Sequence, residues 1–159
     1  AGCAQQVIAP SINLDTIDVL VRNGVEVVVP QDQACCGALG WHVGLGDHTR
    51  HFARKNLRAF PDEFDAIVTT AAGCGSGLCE YPLIMKGLPE EETAKRFAAK
   101  VVDFSEFLDK LGLEPPPATN ESPRIVYQDA CHLRHAQGVV DAPRRRNPRE
   151  NQSPAPGRR

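Results

Sequence analysis

Six cysteines dominate the chemistry available to this chain of 159 residues: Cys3, Cys35, Cys36, Cys74, Cys79 and Cys131. Two of them are neighbours and run straight into a glycine, in the stretch QACCGALGW at residues 33–41. Adjacent cysteines pair poorly with each other. A disulfide wants Cα atoms about 5.5–6 Å apart, whereas a trans peptide sets them about 3.8 Å apart. Two vicinal thiols are better suited to grip separate partners, and thiolates are ligands for zinc and for iron–sulfur clusters. Zinc sites usually draw their ligands in C-x2-C pairs, a spacing that this sequence lacks. Adjacent ligands plus single distant thiols suit an object with several metal atoms. Gly37 would let the backbone come close to such an object and offer it N–H groups. Structural disulfides, a zinc module and small buried thiols are the competing readings of the same residues.

The elements that must position these thiols alternate between helix and strand. SINLDTIDVLVRNG, from Ser11 to Gly24, reads as a helix with Ser11 as its cap. VEVVVP follows at residues 25–30, a β-branched run with the character of a buried parallel strand. The loop QDQACCGALG comes next, and Asp47 is placed to cap the amphipathic helix HTRHFARKNLRAF. FDAIVTTA, residues 64–71, is a second strand, followed by the loop AGCGSGLCE. PEEETAKRFAAKVVDF and SEFLDKLG read as two further helices, and RIVYQDA as a third strand leading into CHLRHAQG. Alternation of this kind predicts an α/β fold, a parallel sheet with flanking helices and with ligand-bearing loops at the carboxyl ends of the strands. Cys35, Cys36, Cys74 and Cys131 all fall in such loops. Cys3 would do so too if a strand preceded it.

Composition bounds the rest. A hydrophobic share of 42% and a charged share of 24% describe an ordinary globular chain. No apolar run approaches the ~20 residues of a membrane-spanning helix. The proline-rich stretch 114–123 reads as a linker. Residues 141–159 hold six Arg against one Asp and one Glu, with four Pro, and are expected to form a disordered basic tail. GCGSG lacks the Lys-Ser/Thr of a phosphate-binding loop and the full dinucleotide fingerprint.

Taken together, GC at residues 2–3, CCG at 35–37 and GCG at 73–75 resemble the cysteine-rich CCG domain of heterodisulfide reductases. The wording of GCAQQVIAP, EVVVP…CCGAL, GCGSGLCEYP and DACHLRHAQG is similar to the iron–sulfur subunits of glycolate oxidases (glycolate dehydrogenases). The resemblance runs from residue 1 to about 140. It implies a [4Fe–4S] cluster held by Cys3, Cys35, Cys36 and Cys74, with Cys131 as the first ligand of a second, incomplete site. Cys79 is a weaker metal candidate, because the broader family closes its motif with C-x2-C and here four residues intervene. His132 and His135 beside Cys131 are candidates for local hydrogen bonding ahead of ligation, and Trp41 and His42 for packing beside the CCG loop.

The implied organisation is a first CCG domain at 1–113 lacking its first strand, a linker at 114–123, the start of a second CCG domain at 124–140, and the tail. A start without Met fits a fragment of a longer subunit. The implied activity is electron transfer within a glycolate- or other 2-hydroxy-acid-oxidising complex. Electrons would pass from partner subunits containing FAD towards a quinone, and the fragment would do no organic chemistry itself. A heterodisulfide-reductase-like thiol/disulfide role and a structural zinc module are the alternatives. The resemblance further implies a cytoplasmic location, with association of the complex at the inner face of the membrane, and no nucleic-acid partner.

Overall fold

A computed structural model describes residues 1–113 and 126–145. The fold is mixed α/β, mostly helical, around a two-stranded parallel sheet. A short turn α1 (Gln5–Ile8) leads into α2 (Pro10–Arg22). Pro10 starts α2, its fixed φ suiting the first helical position, so Ser11 lies inside the helix and makes no cap. After α3 (Ala38–His42), α4 (Gly46–Ala59) turns Thr49, Ala53, Asn56 and Leu57 inward at helical spacing. Asp47 does not cap α4. It sits in the first turn, where the helix dipole favours a negative charge, and pairs with Arg50 at 2.9 Å.

β1 (Ile67–Thr69) and β2 (Val101–Asp103) pair in parallel, Ile67 opposite Val101 and Thr69 opposite Asp103. The segment after β1, read from sequence as a loop, is the helix α5 (Ala72–Cys79), followed by the turn α6 (Tyr81–Ile84). The helix expected to run through Phe104 stops at Lys100: α7 is Glu91–Lys100, and the two valines after it leave as β2. Their β-branched side chains favour the half-buried pleat beside β1 over a last helical turn. α8 (Phe104–Lys110) follows, capped by the Asp103 carboxylate, which accepts from the Ser105 N–H at 2.9 Å.

Two of the three expected strands depart from the reading. Residues 25–30 form no ladder, and Val28 and Val29 are 53% and 47% exposed. The reason is spatial: a cavity of about 810 Å³ separates this segment from β1, and both sides line it. Among the described residues β1 pairs only with β2, so nothing completes hydrogen bonding across that gap. Residues 126–130 form no strand either, and Val126 is 96% exposed. Arg124 and Ile125, and the linker 114–123, lie outside the described residues.

CHLRHAQG becomes a π-helical turn at His132–Ala136 that packs against α5. The first residues of the basic stretch are folded. α9 (Ala142–Arg145) buries Ala142 with Leu133 and Val139, and Arg145 pairs with Asp109. Residues 146–159 lie outside the described residues. The main core gathers Ala53, Leu57, Ile67, Ile84, Met85 and Ala94 around two aromatic rings, Tyr81 and Phe97, stacked 5.3 Å apart. That core joins α4, β1, α6 and α7 into the platform on which the cysteine loops rest.

Candidate metal centre

The CCG segment is held from below by α4 and α6. Gly37 adopts a left-handed φ of 78°, which turns the chain into α3 and is open to glycine at little cost. A side chain there would also meet Thr49 Cγ2 at 3.1 Å. Cys3 comes from the turn before α1. That turn is tied to the end of β1 by the Thr70 hydroxyl, which donates to Gln5 Oε1 at 3.0 Å. Cys74 comes from the first turn of α5, directly after β1. α5 crosses α3 so closely that a Cβ on Gly77 would lie 2.5 Å from Ala38 Cβ. The missing side chain at 77 is what lets the Cys74 helix reach the CCG loop.

Four thiols therefore meet from three separate segments. The Cys3 thiol donates to Cys35 Sγ at 3.3 Å, and Cys36 and Cys74 lie near enough to shift each other's titration. Cys35 and Cys36 are adjacent in the chain, which joins the two pairs. The thiols thus contact in pairs instead of surrounding one point. Consistently, no three His, Cys, Asp or Glu side chains among the described residues are arranged to hold a single metal ion. Vicinal cysteines that reach in different directions suit a body with several metal atoms, each bound by its own thiolate. By donor chemistry and placement, these residues fit an iron–sulfur cluster. Cys3, Cys36 and Cys74 line the large cavity beside β1.

The electrostatics are unequal across the set. The Cys36 thiol is pushed far above its ordinary value, because it donates its proton to Cys74 and because it is part-buried. Cys74 is lowered by that same bond, against a burial effect that works the other way. Cys3 is raised, chiefly by its bond to Cys35. Backbone N–H groups favour the thiolates: Gly37 N donates to Cys35 Sγ at 3.4 Å, Ala38 N to Cys36 and Ala4 N to Cys3.

Cys79 stands apart at the far end of α5, where burial and the carboxylates of Glu106 and Glu80 raise it. Cys131 is exposed at the head of the π-helical turn, and among the described residues no hydrogen bond joins it to the other thiols. The His132 ring lies 5.5 Å from His42. Trp41 packs against the main core. Sequence reasoning missed three residues that shape the site: Thr49, Asn56 and Tyr81, all buried beneath the CCG loop. The only advance signal was a set of polar residues among the apolar positions of α4 and α6.

Residues 1–78 match the family described as the cysteine-rich domain CCG. The chain is 37% identical over 147 residues to a probable glycolate oxidase iron–sulfur subunit of Bacillus subtilis (strain 168), covering 91% of this chain and 33% of that protein. It is 38% identical over 132 residues to lactate utilization protein A of Geobacillus kaustophilus (strain HTA426), covering 82% of this chain and 54% of that protein. An uncharacterized iron–sulfur protein of Methanocaldococcus jannaschii is 34% identical over 144 residues, 90% of this chain and 27% of its own length. The chain thus spans between about a quarter and about half of these relatives. No solved structure matches it.

Proposed function

Residues 1–78 belong to the cysteine-rich CCG domain family, and from that membership we propose that the chain is part of an iron–sulfur electron-transfer subunit of a 2-hydroxy-acid-oxidising complex. The observation that carries this reading is the convergence of Cys3, Cys35, Cys36 and Cys74, of which Cys3, Cys36 and Cys74 line one cavity. These four would hold a [4Fe–4S] cluster, which supplies a store for one electron at a time. The chain's own part is to present four thiolates, to aim N–H groups at their sulfurs and to shed the thiol protons on loading. Cys74, already the acceptor of the Cys36 proton, is the readiest ligand, and the Cys36 proton is the one that must leave.

The relatives' names support glycolate or lactate as the acid oxidised. Oxidation of glycolate to glyoxylate releases two electrons and two protons. An FAD-containing partner would accept them as a pair, and the chain would pass the electrons singly towards a quinone. Cys131 would be the first ligand of a second CCG domain beginning near residue 124, and the complex would work in the cytoplasm at the inner face of the membrane. The gap between residues 25–30 and β1 has the lining of a slot for one more parallel strand, which would complete the first domain from ahead of Ala1.

Anaerobic reconstitution followed by iron and sulfide analysis and electron paramagnetic resonance tests the reading. Equal iron and inorganic sulfide is expected, with a reduced-cluster signal that glycolate elicits only when the flavoprotein partner is added. Bound zinc without sulfide would overturn it. Reduction of a disulfide by the chain alone would move it to thiol/disulfide chemistry.

A further inference from the structure

Beneath the CCG loop lie three buried polar side chains that no ligand set includes. Asn56 is 2% exposed, and Tyr81 and Thr49 are fully buried. Asn56 Oδ1 accepts from Ala34 N at 2.7 Å, while Nδ2 donates to the Cys35 carbonyl at 3.1 Å and to the Tyr81 hydroxyl oxygen at 2.8 Å. The Tyr81 hydroxyl spends its own proton on the Cys36 carbonyl at 3.0 Å. The Thr49 hydroxyl proton lies between the carbonyls of Gly37, at 3.3 Å, and Leu45, at 3.1 Å. Three successive carbonyls of the loop thus each meet a buried donor.

A trans peptide points its N–H opposite to its C=O, so a pinned carbonyl also aims an amide. The peptide whose carbonyl Tyr81 holds gives its N–H to Cys35 Sγ at 3.4 Å. The Gly37 carbonyl is held more closely by Trp41 N, at 3.0 Å, as the first bond of α3, and Thr49 is its longer second contact. Amides aimed at ligand sulfurs favour the more negative, reduced state of a cluster and raise its potential.

We propose that Tyr81, oriented by Asn56, is a positioning residue that fixes the Gly37 amide on the Cys35 sulfur and thereby holds the cluster's potential up. This rests on the cluster reading above. Tyr81→Phe keeps the ring stacked on Phe97 and removes only the hydroxyl. Thr49→Val removes a buried hydroxyl at nearly constant volume from a carbonyl that Trp41 N still holds, and serves as the comparison.

The test is redox titration of reconstituted protein followed by electron paramagnetic resonance. Tyr81→Phe is expected to keep its iron while the midpoint moves to lower potential and the g-values change, and Thr49→Val is expected to shift the midpoint less. An unchanged potential in fully loaded Tyr81→Phe, or an equal shift in Thr49→Val, would overturn the assignment. Amide hydrogen exchange on the unsubstituted, cluster-free chain needs no variant to fold. Gly37 should exchange at least about tenfold more slowly than Val28 and Val29, and equal rates would overturn the clamp. Failure of the unsubstituted chain to take up iron and sulfide would refute the cluster reading instead, with the exchange result still deciding whether the clamp exists.

Discussion

Gly77 and Ala38 touch where α5 crosses α3, so tightly that a Cβ added to Gly77 would stand 2.5 Å from Ala38 Cβ. This crossing sets the reach between Cys74, on the first turn of α5, and Cys36, just before α3. In Gly77→Ala the usual helical gain of alanine over glycine, up to about 1 kcal/mol, opposes an overpacking cost of about 1–3 kcal/mol. The overpacking wins, because the obstacle is a Cβ with backbone beside it and not a flexible tip. Denaturant unfolding of the cluster-free chain should show net destabilisation, and reconstitution should yield less bound iron. A stabilised variant with full iron would show that the crossing is not what brings the thiols together.

Removal of single thiols separates ligands from bystanders. Cys36→Ser should lose the cluster, since Cys36 links the Cys3–Cys35 pair to Cys74. Cys79→Ser should keep iron and sulfide content unchanged, because Cys79 sits at the other end of α5. Metal analysis after reconstitution of both variants checks this. The reverse pattern would place the fourth ligand at Cys79.

The thiol pair also makes a pH prediction. The folded value of Cys36 lies above the ordinary 9.0, so its contribution to stability is present below 9.0 and is lost as pH rises further, where only the unfolded chain sheds the proton. Cys3 is raised and acts with the same sign. Cys74 is lowered, so its contribution is present above 9.0 and is lost as pH falls through its folded value. In cluster-free, reduced protein near neutral pH, alkylation followed by peptide mapping should label Cys74 before Cys36. Replacing Cys36 by alanine removes the donor and should slow labelling of Cys74. Labelling of Cys36 first would reverse the assigned direction of the hydrogen bond.

The open flank of β1 gives a fourth prediction. A β-branched segment of about six residues, the usual strand length, fused ahead of Ala1 should slow amide exchange in both the Val25–Val29 segment and β1. A Gly/Ser segment of the same length should not. Equal exchange with the two extensions, or a dimer that already protects both flanks without any extension, would mean that something other than a preceding strand belongs in the gap.

Much of the site was legible in the chain itself, because cysteine chemistry depends on residue type and on which loop carries it. The vicinal pair, Gly37, Cys3 and Cys74 all announced themselves, and the alternation of VEVVVP and FDAIVTTA with amphipathic segments pointed to a parallel α/β fold. Local pattern failed where a neighbour decides the outcome. AGCGSGLCE looks like a loop by its glycines, yet it is helical because α3 rewards a helix without side chains at that crossing. VVD looks like the end of a helix, yet it is a strand because β1 lies alongside. VEVVVP has every mark of a strand and makes no ladder, because pairing requires a partner within hydrogen-bond reach and a cavity lies there instead.

The sequence by itself determined which thiols are available and that they fall close to the joins between elements, though Cys74 rides on a helix that the sequence read as a loop. Only the tertiary structure decided how those thiols pair and that Asn56, Tyr81 and Thr49 hold the loop's carbonyls. The physical reason is that a hydrogen bond acts over about 3 Å, and residues twelve or more positions apart come within that range only once the chain has folded.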